Sequence, residues 1–237
     1  VLELHDLVKH YQVGGGEPIC AVDGVSMRID RGEFVALYGP SGSGKTTLLE
    51  LIAGLQAPDS GSVLVDGRDV FAMSRREADE YRLHKLGIIG QPHNLIPGAQ
   101  AIQNASLKLL LTNVRRAKPS VLPLLGQLGL GDRLHHRTEQ LSMGERQRVL
   151  IALALSTDPK LVLADEPTGN LDTHTTREVL DLLRSLCRDR DMALLLATHD
   201  PQAAAFADHV YELRDGRLGE YMPDSVSAPD QSTRPRV

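Results

Sequence analysis

Short apolar runs bounded by turn residues recur along this chain, at Phe34–Tyr38 and at residues 86–90, 161–164 and 193–197. Runs without polar alternation predict strands buried on both faces, as in a parallel sheet. Residues 1–8 alternate loosely, and 25–29 and 62–65 are short with a hairpin turn at Asp66-Gly67, so a small antiparallel sheet is expected as well. Helical spacing takes over elsewhere. Val179, Leu182, Leu183 and Leu186 follow i, i+3, i+4, i+7, and the charged stretch 74–84 reads as a helix. Residues 101–130 are helical in pattern but interrupted by Pro119, Pro123 and Gly126, which predicts a helical subdomain inserted at about 92–157. Residues 14–18 form an exposed loop, Asp215-Gly216 a closing hairpin, and residues 223–237 a polar tail expected to be disordered. The expected fold is α/β: a mostly parallel sheet, a small antiparallel β subdomain and a helical insert, in one domain over 1–222.

The chemistry gathers after the run Phe34–Tyr38. Gly39-Pro40-Ser41-Gly42-Ser43-Gly44-Lys45-Thr46-Thr47 fits G-x-x-x-x-G-K-[ST], and Leu48, Leu49, Leu51 and Ile52 follow as a helix that Gly54 and Pro58 stop. A strand, a glycine loop and a helix start in that order make a P-loop. The glycines let successive N–H groups point at a phosphate, and the helix N-terminus adds partial positive charge. Lys45 would reach the β- and γ-phosphates, and the Thr46 hydroxyl would sit on Mg²⁺. Standing on the surface of the loop, Lys45 is expected to carry little packing. The chain is read as binding a nucleoside triphosphate.

Later segments supply partners for that loop. The run 161–164 ends in Asp165-Glu166-Pro167, and carboxylates at the C-terminal end of such a strand face the ligand crevice. Asp165 would hold the metal, and Glu166 could accept a proton from an attacking water. His199, at the end of the run 193–197, faces the same crevice. Ser142 and Glu145 form an S-x-x-E capping box before an apolar helix that runs through Leu155. Gly144 has no part in that box, and a glycine there costs helix stability unless something approaches the backbone closely. Tyr11 is a candidate for stacking on the base; a half-buried tyrosine at a strand end fits its spacing equally well.

Composition removes other readings. The net charge of −5 leaves no basic footprint for nucleic acid, and 3% aromatics with no Trp removes the stacking platforms of single-strand binders. Cys20 and Cys187 make neither a metal spacing nor a disulfide framework, which points to a reducing cytoplasm. No apolar run is long enough to span a bilayer and the N-terminus does not read as a signal peptide. Work at a membrane would need another chain to supply the membrane part.

In order along the chain, the P-loop, Gln91, Leu141-Ser142-Met143-Gly144-Glu145, Ala164-Asp165-Glu166-Pro167-Thr168 and His199 resemble the ATP-binding subunit of an ABC transporter over roughly residues 1–220. The stretch from Ala164 to Asp172, with Gly90-Gln91 followed by Asn94-Leu95-Ile96-Pro97, is similar to the branch serving lipoprotein release, macrolide and antimicrobial-peptide export, and a cell-division complex. The resemblance implies that Tyr11 stacks on adenine, that Gln91 senses Mg²⁺ and the attacking water, and that His199 contacts the γ-phosphate. It implies that Ser142, Gly144 and Glu145 meet ATP on a facing subunit, with Asp172 in the loop crossing the dimer axis. A homodimer in the presence of ATP, an integral-membrane permease and a place on the cytoplasmic face of the cell membrane follow from it. So does a choice between an export ATPase and a regulatory ATPase that moves a membrane partner controlling cell-wall enzymes. A chromosome-structure or DNA-repair ATPase is disfavoured, because the interval from P-loop to residue 141 is short and lacks heptads and cysteine clusters. One position departs from the family: Met143 stands where glycine is usual. A side chain pointing away from the phosphates is tolerable there, whereas one pointing toward them would weaken closure on ATP.

Overall fold

The computed structural model describes residues 1–12, 18–90, 95–111 and 114–221. In chain order the elements are β1 (Leu2–Tyr11), β2 (Ile19–Ile29), β3 (Phe34–Tyr38), α1 (Lys45–Ile52), β4 (Ser60–Val65), β5 (Arg68–Asp69), α2 (Arg75–Glu80) and β6 (Leu86–Ile89). Among the described residues, four α-helices follow before the next strand: α3 (Ala101–Ala105), α4 (Leu107–Leu110), α5 (Val114–Gln127) and α6 (Met143–Leu155). The chain then alternates through β7 (Leu161–Asp165), α7 (Thr173–Asp189), β8 (Ala193–Thr198) and α8 (Pro201–Ala204), and ends on β9 (His209–Arg214) and β10 (Arg217–Glu220).

Two sheets result. The larger has the order β10-β9-β3-β8-β7-β6, parallel throughout except for β10. The smaller, β2-β1-β4-β5, is antiparallel. The unbroken apolar runs are explained by burial on both faces of the larger sheet. Phe34, Val162, Leu194 and Leu196 point into a core shared with α3, α5, α6 and α7. Their chain neighbours Val35, Leu37, Leu163 and Leu195 point into a second core, shared with α1 and the smaller sheet.

Three expectations are corrected. Helix α5 runs through Pro119, Pro123 and Gly126 instead of breaking there. The apolar face formed by Val121, Leu124, Leu125 and Leu128 is buried at i, i+3, i+4, i+7, and that packing outweighs the lost backbone donors. Strand β6 lies at the sheet edge, so Ile88 is exposed and the run is not buried throughout. Strands β1 and β2 extend well beyond 1–8 and 25–29, which puts Tyr11 inside β1 as its last residue. The expected tail at 223–237, the loop residues 14–17 and Gln91 lie outside the described residues.

Candidate functional site

The loop 39–44 leaves β3 and turns into α1 with Gly44 at φ 104°, a conformation that side chains with a Cβ disfavour. A Cβ on Gly39 would collide with the Leu213 carbonyl, and one on Gly44 with the Ala21 carbonyl. Backbone from β9 and β2 therefore presses the loop into shape from behind. The Gly39 N–H donates to the Thr198 carbonyl at 3.2 Å and the Gly216 N–H to the Ser43 carbonyl at 3.2 Å. Lys45 is not on the loop's surface, contrary to expectation. It is 7% exposed, and its ammonium donates to the carbonyls of Gly39 at 2.7 Å and Pro40 at 2.9 Å. The lysine thus closes the loop it belongs to. Pro40, Ser41, Gly42 and Thr46 are exposed, Thr47 is half-buried, and the buried Ser43 hydroxyl has no hydrogen-bond partner among the described residues.

Strand β8 separates β3 from β7, so Asp165 reaches the P-loop across one strand and not directly beside it. The contact is made by a side chain: Thr46 Oγ1 donates to Asp165 Oδ2 at 3.0 Å. Burial raises the Asp165 carboxyl above the usual carboxylate range, and the Thr46 bond opposes that shift. Glu166 sits at φ 46° and donates its N–H to the Ala197 carbonyl at 3.0 Å, which aims its side chain back at β8. Its carboxylate lies 2.8 Å from His199 Nδ1 and accepts from Thr198 Oγ1 at 3.4 Å. A cavity of about 580 Å³ opens beside this pair, lined also by Thr168, Leu171, Arg177 and Phe206.

Another group of candidates stands at the starts of α6 and α7. The Ser142 hydroxyl accepts from the Glu145 N–H at 3.1 Å, and Glu145 accepts from the Ser142 N–H at 2.8 Å and from Arg133 at 2.9 Å, so the expected capping box is present. Met143, the first residue of α6, is 40% exposed. Gly144 is buried, and a Cβ on it would stand 2.6 Å from Thr175 Cγ2. The close approach that a glycine there calls for is thus made by α7. Asp172 caps α7, accepting from the N–H groups of His174 and Thr175, both at 3.0 Å, and from Thr175 Oγ1 at 2.6 Å. No hydrogen bond or ion pair among the described residues links this group to the P-loop, Asp165, Glu166 or His199. At the end of β1, Tyr11 is half-buried and donates its hydroxyl to Gln56 Oε1 at 2.7 Å.

Sequence reasoning gave no role to Thr198 or Gln147. Thr198 joins Gly39 to Glu166, and its only signal was its place at a strand end beside His199. Gln147 is fully buried and its amide donates to the Gly90 carbonyl at 3.3 Å; a polar residue among the apolar positions of α6 was the available sign.

Magnesium fits this site. A hard cation takes oxygen ligands, holds several waters, and binds through one or two carboxylates plus substrate phosphates. The Thr46 hydroxyl and the desolvated Asp165 carboxylate are such a pair. An all-protein cage is not needed, and none occurs among the described residues.

These elements define an α/β P-loop nucleotide-binding protein. The family model described as ABC transporter matches residues 22–169. Lipoprotein-releasing system ATP-binding protein LolD of Geobacter metallireducens is 42% identical over 221 residues, covering 92% of this chain and 97% of that protein. Macrolide export ATP-binding/permease protein MacB of Rhodopirellula baltica is 40% identical over 236 residues, which is 98% of this chain but 34% of that longer protein. Among solved structures, an ATP-binding cassette described as a dimer in a post-hydrolysis state bound to ADP and Pi superposes with a TM-score of 0.82. It is 34% identical, with 93% of this chain and 98% of that one covered. The chain belongs to the ABC transporter family and is one of its ATP-binding ATPase cassettes. No helix among the described residues is long and apolar enough to cross a membrane.

Proposed function

We infer that this chain is the ATP-hydrolysing engine of an export complex. Two copies face each other head to tail, close on Mg-ATP and drive a separate integral-membrane permease from the cytoplasmic face of the membrane. The cargo is a lipid, lipoprotein, peptide or drug. The names of the relatives favour extrusion over a purely regulatory role, since they are a lipoprotein-releasing and a macrolide-export protein. A fused permease in the second also suits a partner of that kind.

The observation that carries the reading is the meeting of two pairs at the ends of β7 and β8, Thr46 with Asp165 and Glu166 with His199, in front of the P-loop. The loop amides and Lys45 hold the β- and γ-phosphates, and Thr46 and Asp165 hold the metal, as Gln91 does on the family pattern. Bound magnesium supplies charge neutralisation to the phosphate oxygens. Glu166 takes a proton from water as the water oxygen attacks the γ-phosphorus and the bond to the bridging oxygen of ADP breaks, leaving ADP and inorganic phosphate. His199 orients the Glu166 carboxylate and reaches the γ-phosphate. Ser142, Gly144, Glu145 and Asp172 make no hydrogen bond or ion pair to this centre among the described residues, which suits groups that complete the site of a facing copy.

The test is steady-state ATP hydrolysis with Mg²⁺. Glu166→Gln keeps shape and metal but not the base, so turnover falls by about 10²-fold or more while ATP binding stays. A Glu166→Gln protein that hydrolyses at the wild-type rate would place the base elsewhere.

A further inference from the structure

Three consecutive residues at the end of β1 grip the turn that follows the P-loop helix. Lys9 Nζ donates to the Ala57 carbonyl at 2.7 Å and lies 3.4 Å from Asp59 Oδ1. The His10 N–H donates to Asp59 Oδ2 at 2.6 Å, and its ring Nδ1 lies 3.1 Å from the same oxygen. Tyr11 donates its hydroxyl to Gln56 Oε1 at 2.7 Å, and Gln56 Nε2 in turn donates to Glu50 Oε2 at 2.6 Å. Glu50 belongs to α1, the helix that opens with Lys45 and Thr46. The Lys9 ammonium stands 5.9 Å from the centroid of the Tyr11 ring.

A tyrosine ring is oriented by two torsions, and pinning both its strand and its hydroxyl leaves little freedom in either. A ring set in advance stacks on a base without losing that freedom on binding, which is where preorganised contacts gain affinity. The far end of the brace is anchored in the phosphate-binding helix, so the base platform and the phosphate cradle share one rigid support.

We propose that Gln56 and Glu50 are positioning residues for the nucleotide base: their hydrogen-bonded chain from α1 holds the Tyr11 ring at the angle at which it stacks. The proposal rests on the nucleotide reading above, with Tyr11 as the base contact, and deepens it. Neither residue is among those assigned above to the phosphates or the base. Their effect should therefore appear in ligands that carry a base and vanish in ligands that do not.

The experiment is calorimetric binding of ATP and of inorganic tripolyphosphate to wild type, Gln56→Ala, Tyr11→Phe, the double variant, and Glu50→Gln. Gln56→Ala and Tyr11→Phe should each weaken ATP by about 3- to 10-fold, the scale of one lost orienting hydrogen bond. Tripolyphosphate binding should not change, and the double variant should be no weaker than either single one, because both break the same bond. Glu50→Gln keeps an acceptor for Gln56 and should retain ATP affinity. Equal weakening of both ligands, additive losses, or no loss of ATP affinity in Gln56→Ala would each overturn the brace. A wild type that binds ATP no more tightly than tripolyphosphate would overturn it through Tyr11 itself. Binding of neither ligand would instead contradict the nucleotide reading.

Discussion

At Asp165 burial and chemistry pull in opposite directions. The fold lifts this carboxyl above the ordinary range mainly by desolvation, so the neutral acid is favoured in the folded chain relative to the unfolded one. Stability contributed by the protonated form is therefore lost as pH rises through the unfolded and then the raised folded value, and at neutral pH the ionised group is a net cost. Asp165→Asn keeps an acceptor for Thr46 and removes the charge. It should raise the stability of the ligand-free protein by up to about 1 kcal/mol in denaturant titration at pH 7 while abolishing Mg²⁺-dependent hydrolysis. Lys45 is the opposite case, a cation whose burial is matched by two carbonyl partners. Lys45→Ala should lower ATP affinity by about 100-fold and also lower stability by about 1–3 kcal/mol, because the Gly39 and Pro40 carbonyls lose their donor. Sequence placed Lys45 in the correct motif but on the loop's surface, whereas it is buried. A motif specifies which residue meets the ligand, whereas burial depends on β2 and β9 behind it, which are distant in sequence.

Between elements, α6 and α7 approach each other closely. Gly144 allows Thr175 to sit against the first turn of α6, and Thr175 in turn holds Asp172 at the start of α7. Gly144→Ala should cost about 1–3 kcal/mol in thermal or chemical unfolding, the scale of an overpacked contact between stiff groups. Thr175→Ser, which removes Cγ2 and keeps the hydroxyl for Asp172, should recover most of that loss. Failure of the second change to recover stability would assign the glycine to another role. The capping box at Ser142 and Glu145 was legible in sequence because it is a local pattern. The reason for Gly144 was not, because its neighbour Thr175 comes from another helix. The same division explains α5, whose prolines read as breaks locally and are overruled by a buried face that only the packed structure creates.

For the whole molecule, the alternation of buried runs with helical segments made the α/β class and the parallel sheet readable in advance. The strand order was not readable, since inserting β8 between β3 and β7 is a matter of topology. That order explains why Thr46 and Thr198 are needed as bridges, one to Asp165 and the other between Gly39 and Glu166. Among the described residues, Ser142, Gly144, Glu145 and Asp172 share no hydrogen bond or ion pair with the P-loop of their own chain. On the proposed function a complete site needs two copies, which bound ATP would join by favouring the closed pair over the open one. Sedimentation of the Glu166→Gln protein tests this most directly. With saturating Mg-ATP it should run as a dimer, and with Mg-ADP as a monomer. A Glu166→Gln protein that stays monomeric with ATP demonstrably bound would contradict the composite site.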